Sequence, residues 1–357
     1  MSARQINTSF WESKRVLITG HTGFKGSWLS LWLQSLGANI CGISLNPPTE
    51  PSLFIEAKVA KKMRHEIADI RDFTSINNIF KSFKPEIVIH MAAQPLVRLS
   101  YKEPINTYAT NVMGTIHIYE ASREARSVKA IVNVTTDKCY ENYEWIWGYR
   151  ENDRMGGHDP YSSSKGCSEL ISSAYIKSFL DLEGIALATA RAGNVIGGGD
   201  WAKDRLIPDV LNSLEKGKTI QVRNPKSIRP WQHVLEPLSG YLLLAEDLFF
   251  NGKATSGSWN FGPKDEDAKS VQWIVENLSK KWNKNNKWKI QKGEHPHEAN
   301  YLKLDISKAK NQLGWKPRWS LETSLDKISD WHQGWLAEEN VQDICQKQIA
   351  EFMTKEM

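Results

Sequence analysis

Cysteine is scarce in this chain. Four residues among 357, Cys41, Cys139, Cys167 and Cys345, lie far apart. That excludes a disulfide framework and the paired spacing of a zinc site, and predicts free thiols in a reducing compartment. No apolar run has the length of a membrane span, and residues 1–14 lack the apolar core of a signal peptide. The expected location is the cytoplasm, with no membrane partner. Charge of one sign is also lacking: a net +5 is too diffuse for nucleic acid but suits an anionic small molecule. The stretch 280–289, which interleaves lysine with tryptophan, reads as a helix end and an edge strand whose tryptophans pack inward. His295 and His297 have no third ligand in sequence, so no metal is expected. There is no internal repeat.

What is present is a strand-and-helix alternation. Apolar runs at 16–19, 40–44, 66–69, 87–91, 131–136 and 186–192 alternate with helical patterns at 25–36, 73–83, 106–125 and 161–180. This predicts an α/β fold, a doubly wound parallel sheet of the Rossmann type. After Arg191 the pattern changes to a helix at 207–215, a strand at 219–222, a helix at about 235–250 and a strand at 259–261 that returns to the sheet. From about Asp267 onward short helices and little sheet are expected. The division predicted is residues 1–192 plus about 233–262 for the dinucleotide, and about 193–232 plus 263–357 as a smaller, discontinuous substrate domain. The fifteen tryptophans sit mostly in apolar patterns and read as core or interface.

Two motifs carry chemistry. Gly20, Gly23 and Gly26, with Thr22, Phe24 and Lys25 between them, follow an apolar strand and open an apolar helix. Such a turn lets backbone approach a pyrophosphate at a helix N-terminus. Tyr161 and Lys165 stand four apart, on one helix face. The ammonium is expected to favour the phenolate, making the tyrosine a base toward a substrate hydroxyl. The second strand ends in the neutral Ser44-Leu45-Asn46, with no Lys or Arg between Gly37 and Ala57. NAD is therefore the expected cofactor, held less firmly than usual at its ribose. Asp69, followed by Ile70, is the expected partner of the adenine amino group, while Asp72 is the better helix cap.

The Gly20–Gly26 turn, Asp69-Ile70, His90-Met91-Ala92-Ala93-Gln94, Asn111 within 110–115, and Tyr161–Lys165 resemble an extended short-chain dehydrogenase/reductase. Within it, 135–142, 147–151 and 156–161 are similar to the branch of nucleotide-sugar 4,6-dehydratases that takes CDP-D-glucose. The resemblance implies that Ala92, Ala93, Gln94 and Asn111 also serve the cofactor, and Gln94 the substrate. It implies that Tyr161 takes the 4-hydroxyl proton with support from Thr136 and Lys165, that NAD takes the C4 hydride, and that Asp137 helps expel the 6-hydroxyl before hydride returns to C6. Sister enzymes have Asp-Glu where this chain has Asp137-Lys138. Lys138 is thus the C5 base, a cation for the developing enolate, or merely an ion-pair partner of Asp137. Asn194 matches the family's pyrophosphate-contacting asparagine, and Tyr301 is carried over as a substrate residue. Arg205 and Arg229 are candidate phosphate partners, because guanidinium forks suit phosphate oxygens. A homodimer or dimer of dimers, paired through 106–125 and 161–180, is implied as well. A nucleotide-sugar 4-epimerase is the nearest rival reading, and a non-catalytic NAD-binding regulator the rival of another class.

Overall fold

A computed structural model of the chain describes residues 3–282, 287–291 and 301–354. Seven strands form one parallel sheet: β1 (Arg15–Thr19), β2 (Asn39–Ser44), β3 (Arg64–Ile67), β4 (Ile87–His90), β5 (Ala130–Val134), β6 (Ala186–Ala192) and β7 (Gly257–Phe261). Their order is β7-β6-β5-β4-β1-β2-β3. Every residue of β4, β5 and β6 is buried, as expected of strands covered by helices on both faces. The order reverses between β1 and β4, and the glycine turn after β1 opens there, at the switch point where open sheets bind ligands.

Helix α1 (Phe24–Ser35) is buried from Gly26 to Leu33 because a second layer covers it. The terminal helix, Val341–Met353, packs against it, with Trp32 edge-on to Phe352. Trp11, Trp28, Trp32, Trp315 and Trp331 are among the largest fully buried side chains, so these tryptophans are core. Close approach demands glycine at two places in the turn. Gly20 has φ +78°, and a Cβ there would lie 2.8 Å from the Ala92 nitrogen. A Cβ on Gly26 would lie 2.1 Å from the Gly20 carbonyl oxygen.

Several boundaries differ from the sequence reading. β3 ends at Ile67, leaving Asp69 in the following turn, and β5 ends at Val134, leaving Thr136 beyond it. The helix expected over 106–125 is Pro104–Tyr108, a π turn at Ala109–Met113 and Gly114–Ala125. The one expected over 161–180 is Pro160–Tyr175 followed by a π turn at Ile176–Leu180. Beyond Asp267 the helices are not short: Val271–Lys281, Leu321–Leu336 and Val341–Met353, the second of 16 residues. Ser270, Ser320 and Asn340 cap them, and these caps are the signal the sequence reading passed over.

Beside the main sheet, a smaller cluster packs helix Leu206–Glu215 against Val271–Lys281 and Leu321–Leu336. Three two-stranded ribbons border it: Val195–Ile196 with Gln232–His233, Ile228–Pro230 with Ala268–Ser270, and Ile220–Val222 with Trp288–Ile290. Trp282 and Trp288 pack onto this cluster, as the inward-facing reading of 280–289 required. His295 and His297 lie outside the described residues. Among those described, no helix is long and apolar enough to cross a membrane, and no group of His, Cys, Asp and Glu could hold a metal ion.

Gly26→Ala should be destabilised by about 1–3 kcal/mol, because its new methyl meets backbone that cannot swing away. Chemical denaturation followed by circular dichroism measures this, and an unchanged midpoint would contradict the packing described.

Candidate active site

A cleft of ≈ 2150 Å³ opens at the C-terminal ends of β5 and β6, between the sheet and the smaller cluster. Phe24 and Lys25 enter it from the start of α1. Thr136, Asp137 and Lys138 enter from a tight turn after β5, whose first N–H is held by Thr136: the Lys138 backbone donates to Thr136 Oγ1 at 3.3 Å. Tyr161 comes from the first turn of Pro160–Tyr175, which starts where it does because Pro160 sits at its head and the Asp159 carboxylate accepts from Ser162 N at 3.0 Å. Asn194, Arg205 and Arg229 complete the opposite wall.

Both signs of charge line the cleft, and burial governs the groups around Tyr161. Burial pushes the Tyr161 phenol up to about 12, although the Thr136 hydroxyl bonded to it and the nearby Arg205 pull the other way. Lys165 Nζ donates to the Val134 carbonyl at 3.1 Å. Burial also brings Lys165 down to about 8, with Glu169 opposing, so its ammonium survives at neutral pH. Lys25 falls to about 7 through burial and the neighbouring Lys165 and Arg205. Asp137 is raised by burial, against the pull of Lys138, Thr136 and Arg229. Its Oδ1 accepts from Thr136 at 3.1 Å, whereas buried Oδ2 has no hydrogen-bond partner among the described residues. That orphaned oxygen lies beside Gly193, where a Cβ would sit 3.1 Å from it.

Other sequence-chosen residues stand elsewhere. Lys138 is exposed on the cleft wall and makes no ion pair with Asp137 among the described residues. Arg205 lines the cleft with its guanidinium on Asp200 at 2.8 Å. Tyr301 is not among the cleft-lining residues; its hydroxyl donates to the Ile146 carbonyl at 3.2 Å, and its neighbour Leu302 reaches the cleft instead. The Asp69 carboxylate is taken by Arg71, Nη2 at 2.5 Å and the backbone N at 2.9 Å, while Asp72 caps the helix Phe73–Phe83. Ile70 is buried under Gly114, where a Cβ would meet it at 2.5 Å. Thr22 Oγ1 donates to the Leu45 carbonyl at 2.9 Å and shares a 2.7 Å bond with Ser44, so the neutral end of β2 is tied to the glycine turn.

The loop after β4 is held by Gln94 and Asn111, neither of which lines the cleft. Ala92 N donates to Thr19 Oγ1 at 3.1 Å, and Ala93 follows it half-buried. Gln94 spends its amide on the loop, donating to Thr107 Oγ1 at 2.9 Å and accepting from Leu96 N at 2.6 Å. Asn111, turned inward by the π turn, accepts from Gln94 N at 2.8 Å and donates to Ser164 Oγ at 2.9 Å, joining this loop to the helix of Tyr161. Sequence reasoning missed Glu169, Arg191 and Asp200. The first was discoverable, since Tyr161, Lys165 and Glu169 repeat the same spacing of four.

A family model described as GDP-mannose 4,6 dehydratase matches residues 17–328. The CDP-glucose 4,6-dehydratase of Salmonella typhimurium is 55% identical over 98% of this chain and 99% of its own. Among solved structures, the UDP-glucose 4-epimerase of Thermotoga maritima with UDP-glucose shares the fold at TM-score 0.78 and 22% identity, over 90% of this chain and 99% of its own. A dTDP-glucose 4,6-dehydratase of Streptomyces venezuelae with NAD does so at TM-score 0.78 and 20% identity, over 92% and 99%.

Asn111→Ala leaves the buried amide of Gln94 without its acceptor, a loss of about 1–3 kcal/mol. The thermal midpoint should fall accordingly by calorimetry; no fall would mean that the clamp holds nothing.

Proposed function

The chain belongs to the family that the GDP-mannose 4,6 dehydratase model describes, and we propose that it converts CDP-D-glucose to CDP-4-keto-6-deoxy-D-glucose. It is an NAD-dependent nucleotide-sugar 4,6-dehydratase, a lyase. The fold class inferred from sequence agrees with this.

The residues at the glycine turn fit NAD. The first turn of α1 holds no acid and its N-cap no side-chain bond, so its leading N–H groups suit a pyrophosphate. A Cβ on Gly23 would meet the Gly20 carbonyl oxygen at 3.4 Å, an ordinary contact. Gly20, Gly23, Gly26, Phe24 and Lys25 would hold the cofactor there. Asp69, already bound by Arg71, would meet the adenine edge as a shared acceptor. NAD held there would supply the hydride chemistry, taking hydride from C4 and giving it back at C6.

The chain's own part is proton handling. Tyr161 removes the 4-hydroxyl proton, with Thr136 sharing the oxygen and the Lys165 charge lowering the cost of the anion. Once C4 is a ketone, the C5 proton is acidic. Asp137, whose carboxyl burial shifts toward its protonated form, delivers a proton to the departing 6-hydroxyl. Lys138, exposed on the cleft wall, takes the C5 proton as the 6-hydroxyl leaves and returns a proton to C5 when hydride reaches C6. Arg205, Arg229 and Asn194 receive the diphosphate, and the segments 193–232 and 263–336 form the substrate side. The observation that carries dehydration over 4-epimerisation is the unpartnered, buried Oδ2 of Asp137, an acid that epimerisation does not need. A non-catalytic regulator has no use for Tyr161 and Lys165 together.

Exposed Ile105, Tyr108 and Met113 on one helical stretch and Leu170, Phe179 and Leu182 on the other fit a two-fold partner in a cytoplasmic homodimer or dimer of dimers. Light scattering should return a dimer or larger, and Leu170→Glu should lower that mass.

Incubation with CDP-glucose and NAD should yield a product that has lost water and absorbs as a 4-keto sugar in base. Recovery of an unchanged-mass epimer would overturn the reading. Asp137→Asn should lose about 10²–10⁴-fold in that dehydration. It should still oxidise C4, seen as reduced-nicotinamide absorbance that persists after a single turnover. Tyr161→Phe should show neither signal. Wild-type product formation by Asp137→Asn would remove Asp137 from the acid role.

A further inference from the structure

The helix Pro160–Tyr175 presents a third ionisable group on the face of Tyr161 and Lys165. Glu169 follows Lys165 by four residues, and all three are buried. Its carboxylate is fully engaged. Oε1 accepts from Thr135 Oγ1 at 2.5 Å; Oε2 accepts from Thr189 Oγ1 at 2.7 Å, Arg191 Nη2 at 2.7 Å and Ser258 Oγ at 3.2 Å. Thr135 immediately precedes the Thr136–Asp137 turn. Arg191 continues outward, donating through Nη1 to the Tyr140 hydroxyl at 2.7 Å and the Glu151 carbonyl at 2.9 Å.

The groups around the Lys165 ammonium are Lys25 from α1, His90 from β4, Cys139 from the turn after β5, Tyr161 and Glu169 on its own helix, and Arg191 on β6 behind Glu169. Burial keeps His90 neutral and pushes the Cys139 thiol well up, so neither supplies charge. Of this set, Glu169 is the anion.

We propose that Glu169 is a positioning residue for the reaction: it keeps the buried Lys165 ammonium charged beside Tyr161 and, through Thr135, fixes the turn that presents Thr136 and Asp137. This rests on the roles given above to Tyr161 and Lys165. A buried ammonium needs a nearby anion to offset desolvation, and a helix delivers one at i+4. Glu169 raises the lysine's affinity for its proton, so without it the ammonium is lost at lower pH.

The test is the pH profile of kcat, from about pH 6 to about pH 9, for Glu169→Gln and Glu169→Asp at saturating CDP-glucose and NAD. Glu169→Gln should move the alkaline limb down by about one unit, roughly a tenfold loss in the alkaline range with far less at the acid end. Glu169→Asp keeps the charge and should restore most of the limb. A Glu169→Gln profile lowered by one factor at every pH, limbs unmoved, would overturn the proposal and leave Glu169 as packing. Should that variant lack a cooperative unfolding transition, Glu169→Gln with Arg191→Gln removes the unpaired guanidinium, and the same shift or its absence decides. Lys165→Met turning over at the wild-type rate would instead sink the underlying roles of Tyr161 and Lys165.

Discussion

The rest of the structure is arranged around one constraint: a helix face bearing tyrosine, lysine, glutamate and serine is buried against the sheet, and buried polar groups must be bonded. β5 and β6 answer it residue by residue. Asn133, in the middle of an otherwise apolar strand, donates through Nδ2 to Tyr119 at 2.8 Å and to Ser168 and Ser172 at 3.1 Å. Thr135, Thr189 and Arg191 then satisfy Glu169. An ordinary parallel strand would be apolar at these positions. The polar interruptions make sense only once the helix face opposite is known.

That buried layer sets the character of the cleft above it. Lys25, Arg205 and Arg229 border the space in which Asp137 sits, with Lys165 buried behind it, and burial acts in opposite directions on the two lysines and the carboxyl. Lys25 and Lys165 are pulled toward neutrality and the carboxyl toward its protonated form, because low dielectric disfavours either charge. The same desolvation keeps Tyr161 a phenol. A diphosphate entering such a site meets Lys25, Arg205 and Arg229, and a carboxyl shifted toward its protonated form is suited to give a proton away.

How much of this was legible in sequence depended on distance along the chain. The glycine turn and the tyrosine–lysine pair are local patterns, and the structure places both beside one cleft. The sheet was legible because both its faces are covered, so each strand reads as an apolar run. Asp69, Gln94 and Tyr301 were chosen by position in a motif, and their side chains turn out to be engaged with Arg71, Thr107 and the Ile146 carbonyl. Partners supplied by neighbouring loops are not written in a motif. The Glu169–Arg191 pair joins residues on two elements, and the lengths of the later helices depended on caps in a polar region with weak apolar periodicity.

The segment 141–155 shows how a surface feature is tied into the buried layer. Tyr143 stacks on Trp145, Trp145 on Tyr149, and Tyr149 on Tyr140, with centroids 5.2–5.3 Å apart. Tyr140 ends the stack by bonding Asn260 at 2.8 Å and receiving Arg191, whose guanidinium also lies over its ring. An aromatic column of this kind is stiff, since each ring buries large area with little rotamer freedom to lose. It also closes one side of the cleft, where Tyr143 and Asn142 stand, while Tyr149 accepts no place in the cleft and locks Asn142 instead at 3.0 Å. Rigidity is thus carried from the cleft rim through Arg191 to Glu169, and from there to the turn that holds Asp137. An acid that must meet a leaving hydroxyl needs that kind of support, because a displacement of about 1 Å costs about a hundredfold in rate.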